Sequence, residues 1–236
     1  CRIPPGRAAP VEIGTSRLDS DRLRELPAKR GRSSGQVNGL PIARIGIGDK
    51  PPLEVERYVM DHELRAYVDR ARIVDCIVRL ARGEDRRDAD LIRSCWWPDA
   101  TYDYGVQSGG FDSYLDWVVP GADAIRNTQH VLGQSHVELA GGSARVETHV
   151  VSYHRVDMGA GDQDTCVGGR YPDTMEERGG EWRIARRVML YDWYTEWGDA
   201  VDWAKGVMGV PLTAEHYSGR ANGDYSEVFF GKRKEA

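Results

Sequence analysis

The 236-residue sequence predicts an α+β domain, and three observations carry that expectation. Apolar residues recur three and four apart in the stretch that follows residue 60. From residue 129 onward the pattern changes to every second residue, over four long segments. Paired glycines separate those segments, which suits tight turns and antiparallel pairing. Helices first and strands later point to a sheet curled over its own helices.

Residues 1–59 precede this pattern and read as an extended or disordered arm. Residues 1–52 are rich in Arg, Gly, Pro and Ser and contain no aromatic side chain. Such a composition buries too little apolar surface to offset its ordering entropy, although Ile42, Ile45, Ile47 and Pro51-Pro52 can hold short contacts. The first methionine is Met60, so the native start is expected near it.

The globular body is expected over residues 60–195. In residues 61–82, Leu64, Tyr67, Val68, Ala71, Val74, Val78 and Ala81 form the stripe of an amphipathic helix, widened by Ile73, Ile77 and Leu80. Gly83 is expected to end this helix and open the polar turn Gly83-Glu84-Asp85-Arg86-Arg87-Asp88. Asp88 can cap a second helix carrying Leu91, Ile92, Cys95 and Trp96, which Pro98 stops. A short strand over residues 100–104 places Tyr102 and Tyr104 on one face. A third helical region, residues 111–127, is interrupted at Pro120-Gly121. Four strands follow at 129–139, 143–157, 164–178 and 181–194. The tail, 196–236, carries Trp197, Trp203, Val207, Met208, Tyr217, Tyr225, Phe229 and Phe230. It is expected to pack on the domain or on a neighbouring subunit.

Charge and cysteines narrow the function classes. Residues 1–59 hold 11 Lys/Arg against 7 Asp/Glu, whereas residues 60–236 hold 21 against 30. An acidic body argues against a nucleic-acid partner and suits a small neutral or aromatic substrate. No apolar run is long enough for a membrane helix. The four cysteines, at 1, 76, 95 and 166, share no metal-ligand spacing and read as buried free thiols, which suits a cytoplasmic location.

The chemistry-bearing residues are few. His130 opens the first long strand and can move a proton near neutrality, unless it is a buried histidine satisfied by backbone. Asp85 is either its carboxylate partner or a capping residue. The other histidines show no metal-ligand pairing, so no metal is expected. His149 has opposite parity to Val146, Thr148 and Val150, and His136 shares the inward parity of His130. Arg187 runs in parity with Met189 and Tyr191, facing either a ligand or a strand neighbour such as Asp173. The glycine pairs are turns and not phosphate cradles, no nucleophile signature appears, and no cofactor is expected.

Several segments taken together resemble the nuclear transport factor 2-like superfamily, and within it the SnoaL-like branch. They are Gly83-Glu84-Asp85-Arg86-Arg87-Asp88, Cys95-Trp96-Trp97-Pro98-Asp99-Ala100 and His130-Val131-Leu132-Gly133. Gly169-Arg170-Tyr171-Pro172-Asp173 and the run Glu181-Trp182-Arg183-Ile184-Ala185-Arg186-Arg187 complete the set. The resemblance covers about residues 61–195. It implies a cone-shaped barrel in which a curved antiparallel sheet wraps over the helices around a deep pocket, and a homodimer or homotrimer.

In the lyase members of that branch an Asp after the first helix and a His on the first long strand form a catalytic dyad. Asp85 and His130 match them. Leu80 stands where some dehydratases carry a tyrosine, so Tyr102 and Tyr104 become the candidate acids. Arg187, Tyr171, Tyr191, Met189, Trp117 and Val167 are the expected substrate-binding residues. The resemblance thus implies a cofactor-independent lyase for an aromatic, phenolic substrate, dehydrating or deformylating it through a quinone methide. Two alternatives stay open: a ketosteroid-type isomerase using Asp173 or Asp192, and a non-catalytic assembly subunit.

Overall fold

The computed structural model describes residues 36–37, 40–41, 53–119, 124–202, 205–211, 213, 216 and 224–231. It divides into two compact units, residues 1–51 and 52–236. In the first, β1 (Gln36–Val37) pairs antiparallel with β2 (Leu40–Pro41). The contacts expected of Ile42, Ile45, Ile47 and Pro51-Pro52 lie outside the described residues.

The second unit opens with α1 (Leu53–Arg86), which begins ahead of Met60 and runs through Gly83. Gly83 therefore does not end the helix, and its role is steric. A Cβ there would sit 2.9 Å from Ile92 Cγ1, so glycine lets α2 (Ala89–Arg93) pack against α1. Arg87, at φ 53°, takes the left-handed turn after the helix instead. Asp88 caps α2 as expected, accepting from the Leu91 backbone N–H at 3.0 Å.

Helix α2 is shorter than its apolar residues suggest, because Trp96 and Pro98 belong to β3 (Trp96–Asp103). Pro98 falls where the pairing of β3 with its neighbour is irregular, between Trp96 and Thr101, so its missing N–H interrupts no ladder bond there. β4 (Ser108–Gly110) and α3 (Phe111–Val118) follow. The interruption expected at Pro120-Gly121 lies outside the described residues, and β5 has begun by Ile125.

The long strands are β5 (Ile125–Ala140), β6 (Ser143–Asp157), β7 (Asp162–Arg178), β8 (Glu181–Val188) and β9 (Leu190–Asp199). They form one curved sheet in the order β4-β3-β8-β7-β6-β5, with β9 continuing along β7 beyond β8. The α+β class expected from the sequence is observed. The sheet has seven strands, is not closed, and is mixed because β3 runs parallel to β8. The single strand expected over 181–194 is broken at Met189, whose N–H donates to the Asp103 carbonyl at 2.9 Å.

The core lies between the sheet and one face of α1, formed by Ile73, Cys76, Ile77 and Leu80. These pack with Trp96, Tyr114, Met175 and Ile184. The stripe expected to face the core points away from it: Leu64, Tyr67, Val74 and Val78 are all exposed. Two apolar stripes share this helix, and the sheet covers only one. Asp69 helps set the rotation, accepting from the Trp182 indole N–H at 3.0 Å. Among the described residues three cysteines, Cys76, Cys95 and Cys166, are free and buried.

The tail begins inside β9. Further on, α4 (Tyr225–Phe229) sits against the end of α1. Asp224 pairs with Arg86 at 3.2 Å, Arg82 donates to Ser226 Oγ at 3.1 Å, and the Arg82 guanidinium lies 5.2 Å from the Phe230 ring centre. Trp203 and Tyr217 lie outside the described residues.

Candidate active site

The last turn of α1 and the start of β5 meet at a carboxylate–imidazole contact. Asp85 Oδ1 lies 2.7 Å from His130 Nδ1, and the same carboxylate accepts the His130 backbone N–H at 3.0 and 3.2 Å. Backbone and ring are thus held by one group, which fixes the ring orientation and places the proton on Nδ1. Nε2 is left toward the interior, 3.6 Å from Glu84 Oε2.

Glu84 is the residue that sequence reasoning missed. It is buried, one turn beyond Leu80 and two beyond Ile77, on the core face of α1. Reading Gly83 as a helix stop hid that continuity. Glu84 accepts a hydrogen bond from the Tyr114 hydroxyl and lies 3.9 Å from Arg187 Nη1. Arg187 in turn grips Asp173 with two bonds, at 2.7 and 2.8 Å. Three carboxylates therefore surround one guanidinium and one imidazole, so the charge balance favours a second cation.

The titration of His130 follows. Burial opposes its charged form, but the hydrogen bond to Asp85 and the charges of Glu84 and Asp85 outweigh burial and raise its pKa above the usual 6.5. His154 goes the other way. Burial, reinforced by the His130 charge, lowers it to about 4. Burial raises the hydroxyls of Tyr104, Tyr114 and Tyr171, so these stay neutral hydrogen-bond donors. Arg187 stays charged. Burial opposes its charge, and the charge and hydrogen bonds of Asp173 more than offset that.

These groups border a partly open cavity of about 110 Å³. Glu84, His130, His154, Tyr104, Tyr114, Trp117 and Tyr171 line it, with Arg87, Val118, Ile125 and Thr128. Tyr104 stacks on Tyr171 at 6.1 Å and meets Trp117 edge-on at 5.5 Å. The Tyr104 hydroxyl is buried with no hydrogen-bond partner among the described residues. Behind Tyr171 the Arg187 guanidinium lies 4.1 Å from its ring centre. On the other side of the Asp85–His130 pair is a shallower recess of about 320 Å³, bordered by Val78, Ala81, Arg82 and Leu132. Among the described residues no group of three His, Cys, Asp or Glu side chains is arranged to hold a metal ion.

The sequence profile of the SnoaL-like domain matches residues 65–188. The chain belongs to the SnoaL-like family. Solved structures share the fold of this SnoaL-like protein. A hexachlorocyclohexane dehydrochlorinase (LinA, type 2) superposes with a TM-score of 0.56 at 20% identity, covering 61% of this chain and 99% of that one. The LinA type 3 enzyme of Novosphingobium barchaimii gives 0.54 at 18%, covering 59% and 99%. A scytalone-dehydratase-like protein from Novosphingobium aromaticivorans gives 0.52 at 19%, covering 58% and 92%. Comparison with curated proteins finds no match.

Within the SnoaL-like domain the residues singled out from sequence separate into two groups. Asp85, His130, Tyr104, Tyr171 and Trp117 come together at the cavity or its rim. Tyr102 does not line it. The Tyr102 ring is buried against Tyr114 and Trp117, and its hydroxyl has no hydrogen-bond partner among the described residues. Arg187 lies behind the cavity wall, committed to Asp173 and Glu84. Asp173 is buried with it, unlike the solvent-facing stretch that its charged neighbours suggest.

The break at Met189 turns β9 relative to β8. Met189 is buried away from the cavity, and Tyr191 is half exposed, donating to the Tyr104 carbonyl at 2.9 Å. Val167 packs on the core. His136 faces solvent because β5 is irregular between Leu132 and Ser135, which inverts parity beyond that point. That irregularity lets His130 and the core residue Val137 share one face. His149 is exposed, as its parity predicts. Extending the inward parity of Val146, Thr148 and Val150 four residues would have found His154.

Proposed function

We propose that this protein is a lyase in which His130 acts as general base and Asp85 holds its tautomer, on a single-ring phenolic substrate. The observation that carries the reading is the Asp85–His130 contact at 2.7 Å, placed at the edge of a cavity walled by tyrosines and a tryptophan. Folds shared with dehydrochlorinases and a scytalone-dehydratase-like protein support elimination chemistry.

Elimination needs a base at one carbon and a proton for the departing group. Neutral His130 takes the C–H proton on Nε2. The electron pair moves into the adjacent C–O bond's place as that bond breaks, and a phenolic ring stabilises the electron-poor carbon as a quinone methide. The imidazolium is held by Asp85 and Glu84 until it returns the proton to the departing hydroxide, so water is the product. Tyr104 is placed to hydrogen-bond the departing or phenolic oxygen as a neutral donor. From the quinone methide, the same base can take the proton of a neighbouring hydroxymethyl group. That group then leaves as formaldehyde and its electrons restore the phenol. No step calls on a cofactor.

Size bears on the substrate. A cavity of about 110 Å³ is on the scale of one aromatic ring, since an apolar cavity of roughly 150 Å³ binds benzene. A second ring, as in a lignin dimer, would project through the mouth.

Turnover of phenolic benzylic alcohols and diols, followed by product mass, tests this. His130→Ala should lose about 10²–10⁴-fold in kcat while the fold survives. Near-normal turnover by that variant, or products of unchanged mass as an isomerase would give, contradicts the reading.

A further inference from the structure

We propose that the outward face of α1 is a self-association surface, on which a second copy of this chain lays its own α1 antiparallel. Met60, Leu64, Tyr67, Ala71, Val74 and Val78 are spaced four, three, four, three and four residues apart. That is the seam of a helix pair packed side by side, with a period of 3.5 residues. The seam is exposed along its whole length, with Met60 at 66% and Tyr67 at 72%, while the core lies on the opposite face, at Ile73, Ile77 and Leu80. Lone exposed apolar residues need no explanation, but a continuous row in this register does.

The occupant must be a long helix with the same repeat. The seam extends over roughly 27 Å at 1.5 Å per residue. Among the described residues the other helices, α2, α3 and α4, have 5, 8 and 5 residues, too few to cover it. Residues 1–52 carry no sustained helical period in their sequence. A second α1 carries the matching row.

Charge selects the orientation. Extended toward the helix start, the seam reaches Arg57 and then Leu53. A parallel pair would stack Arg57 on Arg57 of the partner subunit. In an antiparallel pair centred between Arg65 and Ala66, Leu64 meets the partner's Tyr67 and Met60 meets the partner's Ala71. Arg57 then lies against the partner's Val74 with the partner's Asp75 beside it. Glu63 flanks the seam opposite the partner's Arg70, whose counterpart in this chain also reaches the Val137 carbonyl. Opposed helix dipoles add to this preference. Because Val78 borders the recess behind Asp85 and His130, the partner's Leu53 would sit at the rim of that recess.

Sedimentation equilibrium of the full chain, with and without the double substitution Leu64→Asp/Tyr67→Asp, tests the surface. The wild type should be at least dimeric, and the variant should lose half its mass with an unchanged circular dichroism spectrum. A mass unaffected by the substitution, whether monomer or oligomer, overturns the proposal. Photocrosslinking in the otherwise native chain gives a second readout that needs no disruption. Met60→p-benzoylphenylalanine should attach to the peptide holding the partner's Ala71. Attachment to residues 1–51, or to the partner's peptide around position 60, overturns the proposed occupant or its orientation.

Discussion

The two halves of α1 are built from similar residues and meet opposite fates. Residues 69–86 lie on the sheet, bury Ile73, Ile77 and Leu80, and end by delivering Glu84 and Asp85 to His130. Residues 53–67 stand clear, with Leu53, Tyr58, Met60, Leu64 and Tyr67 all more than half exposed. Helical period identifies an apolar face in both halves. It does not say what covers that face, and the chemistry sits only where the sheet does.

The contrast is most open to attack through stability. Leu80→Ala should lower the unfolding free energy by about 2–5 kcal/mol, as for a fully buried leucine. His62→Ala, on the exposed half and off its apolar seam, should change it by less than about 0.5 kcal/mol. Denaturant titrations of both variants measure the gap, and comparable losses would mean that the first half of the helix is packed after all.

Glu84→Gln keeps the shape of the buried end but removes a charge. Its expected cost is about tenfold to a hundredfold in kcat/KM, the equivalent of one charged hydrogen bond. With less negative charge beside it, His130 should lose its proton more readily. The acid limb of the pH–rate profile should therefore move to lower pH; a limb that stays put would remove Glu84 from the site.

His154 should be visible in stability against pH. Its folded pKa of about 4 lies below the usual 6.5, so the unfolded chain binds more protons between those values. Folding stability should accordingly fall as pH drops through that window, on the order of 2 kcal/mol, and His154→Gln should flatten the slope. A slope unchanged in the variant assigns it to other groups. Tyr102→Phe should have the smallest effect, leaving both turnover and stability close to wild type. Its hydroxyl has no partner among the described residues and lies outside the cavity lining. A large loss of turnover would bring Tyr102 back into the reaction.

Much of this architecture is legible in the sequence because period-2 segments with glycine turns leave few alternatives. The strands at 143–157 and 181–188 begin where the pattern says they do. What escapes is local and has identifiable causes. Gly83 looks like a stop, yet a glycine can equally permit close helix packing, and that ambiguity concealed Glu84. The irregularity after Leu132 inverts strand parity, so His136 was placed inward when it faces solvent. Arg187 has the parity of a ligand contact, but Asp173 on the neighbouring strand claims it first.

The claim that matters most is that Asp85 and Glu84 together hold His130 as a base of raised affinity for its proton. An NMR titration of the His130 imidazole, in the wild type and in Glu84→Gln, tests it directly. The account predicts a wild-type pKa above 6.5, with the proton on Nδ1 in the neutral form, and a lower value in the variant. The raised value also stabilises the fold fully below pH 6.5, a contribution lost as pH rises through the folded pKa. A wild-type value at or below 6.5, or one that Glu84→Gln leaves unmoved, would contradict the account.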